Sequence, residues 1–577
     1  MKRILIAGES GGGIVSTGEI VARALKNLGY WVVTEREFPS LIQGGHASYS
    51  VSFADEPLYG LSQRCDILLS LSKIGLQSFL PRLIDGGYLV HGYERLSGIQ
   101  PELAECERRR IQVVHVRSRE KAMELGGTEL VKNMILLGML WKTLGLPLPA
   151  LESEITQQFG SKPALLAVDL TCAQWGYSAV QQQKSLLPPT QNPPLSLLTG
   201  NHAIALGAIQ AGVRLYAAYP MSPSTGILKH LAEYADAYNL IVKQAEDEIT
   251  AVSLVLGANY AGTRALTATS GGGFDLMTET LSLAMITETP LVIVLCQRPG
   301  PATGLPTWTA QSDVHLALYA GHGEGARVVL SVSDPADSFT LIQTALNISE
   351  QAQVPVILLS EKQICEHLYT VETSSLEAFP IERNLTAEPP VAAEKPTHGL
   401  RYQLTESGIS PRWVPTKAPS VFCANSDEHT PDGTLTEDAS VASSMYKKRI
   451  QKLNHIRDHL IPPPEYIGPP EPNIAFIGFG SNKNIMQDVI SLMSIKGVQV
   501  GYLHFPCLSP LDTKAISTLQ EQCKGRIHLI EGNATGQFGQ LIEQHCGPLF
   551  RGKLLKWDGR PFYQEEVIEY IEHYINS

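Results

Sequence analysis

Four polar side chains stand on the stiffest or most tightly turned stretches of the chain. Ser222 lies in AYPMSPST, Ala218–Thr225, bracketed by Pro220 and Pro223. Arg298 is the only cation of QRPGPATGLPT, which follows the apolar run PLVIVLC. Ser270 ends the run RALTATS and opens a turn of three glycines, Gly271–Gly273. Glu248 is the last of three consecutive carboxylates ahead of the apolar stretch ITAVSLVLGANYAG. Proline fixes its own φ, lacks an N–H and keeps the preceding residue out of the α region, so both Pro-rich segments read as rigid, non-helical loops at strand ends. In a doubly wound sheet the carboxyl ends of the strands share one edge, where ligands bind, and the loops carrying Ser222, Ser270 and Arg298 rise from that edge.

Glu248 differs from its neighbours Glu246 and Asp247. Carboxylates at a helix start suit the macrodipole, which accounts for the first two as caps and solvated charge. Ala251, Val252, Val255 and Leu256 follow Glu248 at spacings of three, four, seven and eight, so it lies on the apolar face and needs a partner there. Gly-rich turns recur in GESGGG at Gly8–Gly13, TSGGG, IGFGSN and EGNATGQFG. A strand-to-helix turn is an anion site in principle. GESGGG lacks the G-x-G-x-x-G spacing, however, and Glu35 and Glu37 are ambiguous as ribose ligands. Ligand binding and simple structural turning both stay open for it, and four such turns suit a fold built from βα units.

The elements that must position these groups follow from the apolar runs. RILIAG, YWVVTEREF, DILLSLS, GYLVHG and QVVHV read as strands, IVSTGEIVARALKNLG and MILLGMLWKTLG as helices, over residues 1–185. Pro and Gln displace the pattern at 181–198, a linker. RALTATS, PLVIVLCQ, RVVLSV and PVILLS carry a second α/β domain over 199–370. Residues 371–471 form an extended connector with one basic helix, SSMYKKRIQKLNHIRDHL, and loops of that length usually wrap another surface or serve function. NIAFIGFGSN, VQVGYLHF and RIHLIEG resume α/β order over 472–577. The expected fold is α/β, with three doubly wound or Rossmann-like domains. Length, at 577 residues, and 44% hydrophobic content support several cores. A net charge of −12 without a basic run argues against nucleic acid. No apolar stretch reaches 18 residues and no signal-type segment opens the chain, so the expectation is a cytoplasmic protein that does not enter membranes. Nine cysteines without a CxxC pair point to packed thiols rather than a metal or cluster site, and no metal ligands are expected in this chain.

Taken in order, AYPMSPST, QAEDEITAVSLVLGANYAG, TSGGGFDLMTETLSLA, PLVIVLCQRPGPATGLPT and QSDVHLALYAGHGE resemble the alpha subunits of the 2-oxoacid:ferredoxin oxidoreductases. IAGESGGGIVSTGEIVARAL with EREFPSLIQGGHASYSVSF looks like that family's gamma domain fused ahead of alpha. TPDGTLTEDAS, the KKRIQKL helix, EGNATGQFGQLI and LLKWDGRPF are similar to its connector and C-terminal domain. The resemblance implies a central thiamine-diphosphate-binding domain of the pyrimidine type. It implies that Glu248 meets the pyrimidine ring nitrogen, favouring the imino form that removes the thiazolium proton, with Pro220, Ser270 and Gly271 also at the cofactor. Ser222 and Arg298 would bind the substrate, the guanidinium taking its carboxylate with two parallel donors. Magnesium and an iron–sulfur cluster are implied for a separate beta subunit, with coenzyme A as co-substrate, contacted by the gamma-type domain, and ferredoxin as acceptor through the complex. The implied reaction is oxidative decarboxylation of a 2-oxoacid to an acyl-CoA and carbon dioxide, active only with beta, in a heterodimer or dimer of heterodimers. 2-Oxoglutarate is favoured, with pyruvate or a broad 2-oxoacid range as alternatives. Ser222 replaces the family's usual threonine and SGGG its usual SGPG. The rival readings are a non-redox nucleotide- or CoA-binding module, in which Glu248 only caps, and a scaffold whose connector wraps a partner.

Overall fold

A computed structural model describes residues 1–38, 45–181, 186, 188, 190–392, 395–415 and 420–576. Parts of the 181–198 linker and of the EREFPSLIQGGHASYSVSF block, residues 39–44, lie outside the described residues. The chain forms two compact units. The first is Met1–Leu198 with His367–Ser375 and Tyr563–Glu566; the second is Thr199–Glu366, Leu376–Phe562 and Val567–Ser577.

In chain order the first unit contributes β1 (Lys2–Glu9), β2 (Trp31–Glu37), β3 (His46–Ala54), β4 (Cys65–Ser70), β5 (Leu83–His91), β6 (Gln112–His115) and β7 (Leu195–Leu198). The second follows with β8 (Leu215–Ala218), β9 (Ile241–Gln244), β10 (Ala265–Thr269), β11 (Leu291–Gln297), β12 (Val328–Ser331) and β13 (Pro355–Glu361). β14 (Tyr369–Glu372) belongs to the first unit's sheet. β15 (Val391–Ala392) and β16 (Lys395–Gly399) pair with each other. β17 (Glu465–Ile467), β18 (Ile474–Gly478), β19 (Val500–His504), β20 (Cys507–Ser509), β21 (Ile527–Glu531) and β22 (Gly552–Leu555) complete the set.

The first sheet has the order β6-β5-β4-β1-β3-β2-β14-β7. β1, β4, β5 and β6 run parallel, whereas β3, β2, β14 and β7 join antiparallel. A wholly parallel reading of this segment therefore holds for one half of the sheet. The other half rests on β14 and β7, two four-residue strands too short to carry a period of their own. The apolar run MILLGMLWKTLG is, as its composition requires, a helix buried nearly all round, Lys132–Thr143.

The central sheet of the second unit has the order β20-β12-β13-β11-β10-β8-β9, all parallel except β20, which pairs antiparallel with β12. Every residue of β10, β11 and β13 is buried, as strands covered by helices on both faces must be. A third sheet, β17-β19-β18-β21-β22, is parallel apart from β17. One apolar cluster runs from Ala217, Leu295 and Ile357 of the central sheet to Ile477, Phe479 and Phe505 of the third. The molecule is thus a mixed α/β protein with parallel-rich sheets.

The connector threads through the second unit on charged anchors. Glu288 is buried between Lys448 and Lys452 of the helix Ala439–His459, at 2.6 Å from each ammonium. Glu350 gathers Arg264 and Arg383, at 2.7 and 2.6 Å, with Arg412 at 3.4 Å. Tyr402, over whose ring Lys448 Nζ lies, and Trp413 are buried as well.

Candidate functional site

β8, β10 and β11 end at Ala218, Thr269 and Gln297, side by side in parallel register. Their following loops begin with Tyr219, Ser270 and Arg298, so AYPMSPST, TSGGG and QRPG rise from one edge. Packing of the first loop begins behind it. Asn201, on the helix Gly200–Gln210, donates to the Pro223 carbonyl at 2.8 Å, and Ser224 folds back onto the Met221 carbonyl. Met221 brings its sulfur 4.0 Å from the Thr269 hydroxyl, tying the loop to the end of β10. Ser222 itself is exposed, and its carbonyl accepts from Arg298 Nη1 at 2.8 Å. Arg298 and Ser222 are therefore neighbours, while Pro220 is half-buried one residue before Met221.

Glu248 is the first residue of the helix Glu248–Tyr260 and only 4% exposed. The cap is Asp247, which accepts from the Thr250 N–H at 2.7 Å, and Glu246 accepts from the Thr250 hydroxyl. The two flanking carboxylates thus hold the helix start and leave Glu248 without that duty. Its Oε1 is fully buried with no hydrogen-bond partner. It points at Gly273, where a β-carbon would come within 2.6 Å of Glu248 Oε1 and would also strike the Thr269 hydroxyl. A glycine is required there because the helix Gly271–Leu276 passes directly over the carboxylate.

Other polar atoms at the same edge are orphaned as well. Ser270 is the N-cap of Gly271–Leu276 yet makes no capping bond, and its buried Oγ has no partner. Gln297 Nε2 and Asp313 Oδ2 are likewise buried and unsatisfied. The Asp313 N–H donates to Gln297 Oε1, at the neighbouring strand end, at 3.0 Å. Its carboxyl lies over the turn, 2.8 Å from where a Gly271 β-carbon would sit. Burial, with Asp275 nearby, pushes the Asp313 carboxyl up to about 7 against the pull of Arg298. Burial lowers Arg298, and Asp313 offsets part of that. Buried polar groups are nearly always hydrogen-bonded, because an unmet donor or acceptor costs about 1–3 kcal/mol. Several orphans at one strand edge mark a place shaped for a ligand that brings its own donors and acceptors. Those atoms, with the glycine turn above them, fit a flat heterocycle carrying both kinds of group, such as an aminopyrimidine.

The structure brings Glu248, Ser270, Gly271, Ser222, Arg298 and Pro220, all singled out in the sequence, to this one edge. Asp313, Gln297, Met221 and Gly273 stand at the same edge and were not singled out. Asp313 sits in QSDVHLALYAGHGE, where nothing local distinguishes it from an ordinary helix cap, and Gln297 is the last residue of an apolar strand.

The glycine turn of the first unit presents a contrast. Gly11 and Gly13 adopt φ of 86° and 78°, and the turn borders a cavity of about 480 Å³ lined by Ser10, Ser16, Arg36 and Glu37. Glu35 is committed to Arg3 at 2.6 Å and to the Tyr563 hydroxyl, and Glu37 to Arg82. Internal pairing therefore accounts for both acidic residues of β2.

Residues 206–448 match the family described as "Pyruvate flavodoxin/ferredoxin oxidoreductase, thiamine diP-bdg", and residues 3–179 match "Pyruvate ferredoxin/flavodoxin oxidoreductase". The chain is 31% identical to the 2-oxoacid:ferredoxin oxidoreductase subunit alpha of a Sulfolobus species, covering 98% of this chain and 95% of that one. It is 27% identical to the 2-oxoglutarate oxidoreductase subunit KorA of Mycobacterium tuberculosis, over 98% and 90% of the two chains. Its fold superposes with a TM-score of 0.89 on the 2-oxoglutarate:ferredoxin oxidoreductase of Magnetococcus marinus, solved with 2-oxoglutarate, coenzyme A and succinyl-CoA bound. That pair is 28% identical over 100% of this chain and 99% of that one.

Proposed function

From the premise that the chain belongs to the alpha subunits of the thiamine-diphosphate-dependent 2-oxoacid:ferredoxin oxidoreductases, we propose that its edge at Glu248 holds the cofactor's aminopyrimidine and that its substrate is 2-oxoglutarate. The observation that carries the cofactor reading is the buried, partnerless Glu248 Oε1 facing a glycine turn among other orphaned polar atoms. Thiamine diphosphate held there would supply the nucleophile and the electron sink that decarboxylation of a 2-oxoacid needs. Glu248 shares a proton with the ring nitrogen, a role for a carboxyl removed from water. Ser270 and the Gly271 turn offer the ring a hydroxyl and close backbone approach, and the Pro220 loop bounds it. Arg298 meets the substrate carboxylate with a planar pair of donors, and Ser222, whose carbonyl accepts from Arg298 Nη1, offers its hydroxyl from the adjacent loop.

The 2-oxoglutarate preference is supported by the names of the M. tuberculosis and M. marinus proteins. The reading extends to a beta subunit carrying magnesium and an iron–sulfur cluster, to ferredoxin as acceptor and to coenzyme A. Residues 1–185 serve as the gamma-type domain that contacts coenzyme A, 199–370 as the pyrimidine domain, 371–471 as connector and 472–577 as the C-terminal domain. A partner is also suggested by the helix Glu248–Tyr260, which is apolar all round yet leaves Ile249 51% and Leu254 40% exposed. The assembly is a cytoplasmic heterodimer or dimer of heterodimers.

The test is a Glu248→Ala chain co-purified with its beta subunit. Loss of thiamine-diphosphate-dependent, oxoacid-driven reduction of an electron acceptor is the expected result; full activity sinks the assignment. Initial rates with 2-oxoglutarate, pyruvate and branched 2-oxoacids decide the substrate, and a kcat/KM for pyruvate equal to or above that for 2-oxoglutarate overturns the preference.

A further inference from the structure

The loop that carries Arg298 stands out in solvent from Gly300 to Leu305, yet it is held at both ends. At its start Arg298 donates to the Ser222 carbonyl. Within it the Leu305 N–H donates to the Pro299 carbonyl at 3.0 Å, and the Trp308 N–H to the Leu305 carbonyl at 3.1 Å. Gly304, with φ of 52°, closes this turn so tightly that a β-carbon there would run into the Pro299 carbonyl. A displacement of Leu305 or Trp308 is therefore passed to Pro299, the residue bonded to Arg298.

At its far end the loop is gripped by the third sheet. The Gly532 carbonyl, directly after β21, accepts from the Gln311 N–H at 2.8 Å, and the Gly559 carbonyl, in the turn after β22, accepts from the Thr309 N–H at 3.1 Å. Gly559, with φ of 81°, lies flat against the loop: a β-carbon there would come within 3.1 Å of both Leu305 Cδ1 and Trp308 Cβ. The next residue, Arg560, sets its guanidinium 3.7 Å from the centre of the Trp308 ring. Its Nη1 donates to the Asp558 carbonyl and its N–H to the Asp558 carboxylate, each at 2.8 Å, so the turn itself aims the guanidinium at the ring.

We propose that the turn 556–560 is a clasp that fixes the Arg298 loop, through Arg560 on Trp308, in the position from which Arg298 meets the 2-oxoacid carboxylate. This rests on the reading of Arg298 as the carboxylate-binding residue. A guanidinium is attracted to the negative face of an indole, and stacking leaves its N–H groups free for the Asp558 carbonyl. A loop ordered only when substrate arrives loses part of the binding free energy to its own ordering, whereas a clasped loop has given up that freedom beforehand. Arg560 acts through Trp308 as a positioning residue. Its effect falls on the substrate and spares the cofactor, since Glu248, Ser270 and Gly271 stand on other elements.

The experiment uses the alpha–beta complex as wild type, Arg560→Ala, Arg560→Lys, Arg298→Ala and the Arg298→Ala, Arg560→Ala pair. Arg560→Ala raises KM for the 2-oxoacid turned over best by about three- to thirtyfold, the worth of one such contact, while kcat and the thiamine diphosphate Kd hold. Arg560→Lys, which keeps a cation over the ring, recovers most of that loss. In the pair the second substitution adds nothing to Arg298→Ala, because the group that the clasp positions is gone. An unchanged KM in Arg560→Ala, even with a lowered melting midpoint, or losses that multiply in the pair, overturns the proposal. Hydrogen exchange of the peptide spanning 299–309 reads the clasp without turnover: Arg560→Ala speeds it, and an unchanged rate overturns the clasp. An unchanged KM in Arg298→Ala defeats the reading of Arg298, and faster exchange in Arg560→Ala then still supports the clasp on its loop.

Discussion

Two glycine turns of the second unit each carry a buried glutamate and treat it in opposite ways. At TSGGG, Glu248 Oε1 meets no donor. At IGFGSN, Glu361 accepts from Gln311 Nε2 at 2.7 Å, the Ser481 N–H at 2.9 Å and the Ser481 hydroxyl at 2.6 Å. Gln311 goes on to the Phe479 carbonyl, the Asn482 amide and the Gly532 N–H. EGNATGQFG belongs with the second type, since Glu531 accepts from the Phe538 and Gly539 N–H groups at the start of its own helix. One local pattern therefore serves two ends. Where the carboxylate's oxygens are met from inside, the turn is a joint between sheets; where one is left unmet, the turn carries the proposed ligand site.

Exchanging the two glutamates for glutamine gives the widest separation. Glu248→Gln lowers turnover by about 10²–10⁴-fold, the usual worth of a positioned acid–base group, without lowering the melting midpoint of the cofactor-free chain. Glu361→Gln keeps an oxygen for Gln311 Nε2 and the Ser481 N–H but weakens their bonds and that of the Ser481 hydroxyl by removing the charge, and lowers stability by about 1 kcal/mol, read by thermal melting, with KM unchanged. Equal melting losses in both variants would break the contrast. The glycines sharpen it at a smaller scale. A methyl at Gly273 meets Glu248 and Thr269 and weakens thiamine diphosphate binding about ten- to a hundredfold, an overpacking cost of about 1–3 kcal/mol. At Gly480, with φ of 60°, alanine meets Glu361 and Gln311 and lowers the melting midpoint while the cofactor Kd holds. The smallest effect is in pH. Burial pushes Glu531 up to about 7 from an ordinary 4.5, so the folded chain holds that proton more tightly than the unfolded one. Its stabilisation is complete below about pH 4.5 and is lost as pH rises through 7. Glu531→Gln leaves a shallower decline in melting midpoint between pH 5 and 8, and an unchanged decline assigns the slope to other groups.

The strand edge at Glu248 was legible as a candidate site because three strong signals coincide there: fully apolar runs that end abruptly, prolines that stop them, and one carboxylate on an apolar helix face. Asp247 also read correctly as a cap and Glu246 as a solvated charge beside it. What the four glycine turns do was not legible, since satisfaction of a carboxylate depends on Gln311 meeting Gly532 and Asn482 from far along the chain. Asp313 was missed for the same reason, because its environment is made by Gly271, Gln297 and Arg298 rather than by its neighbours in sequence. The antiparallel half of the first sheet needs β14, which arrives from beyond the central domain.

β20 carries a further consequence. Three residues, Cys507–Ser509, cover the outer edge of the central sheet by pairing with Val329 and Leu330 of β12. During synthesis that edge is finished long before its cover emerges, so a nascent or truncated chain displays a fully buried-type strand, VVLS, with its backbone groups open to any other strand. Fragments ending before residue 507 should therefore self-associate, however intact the rest of their central sheet, and the short strand β20 acts as the guard of that sheet's open edge.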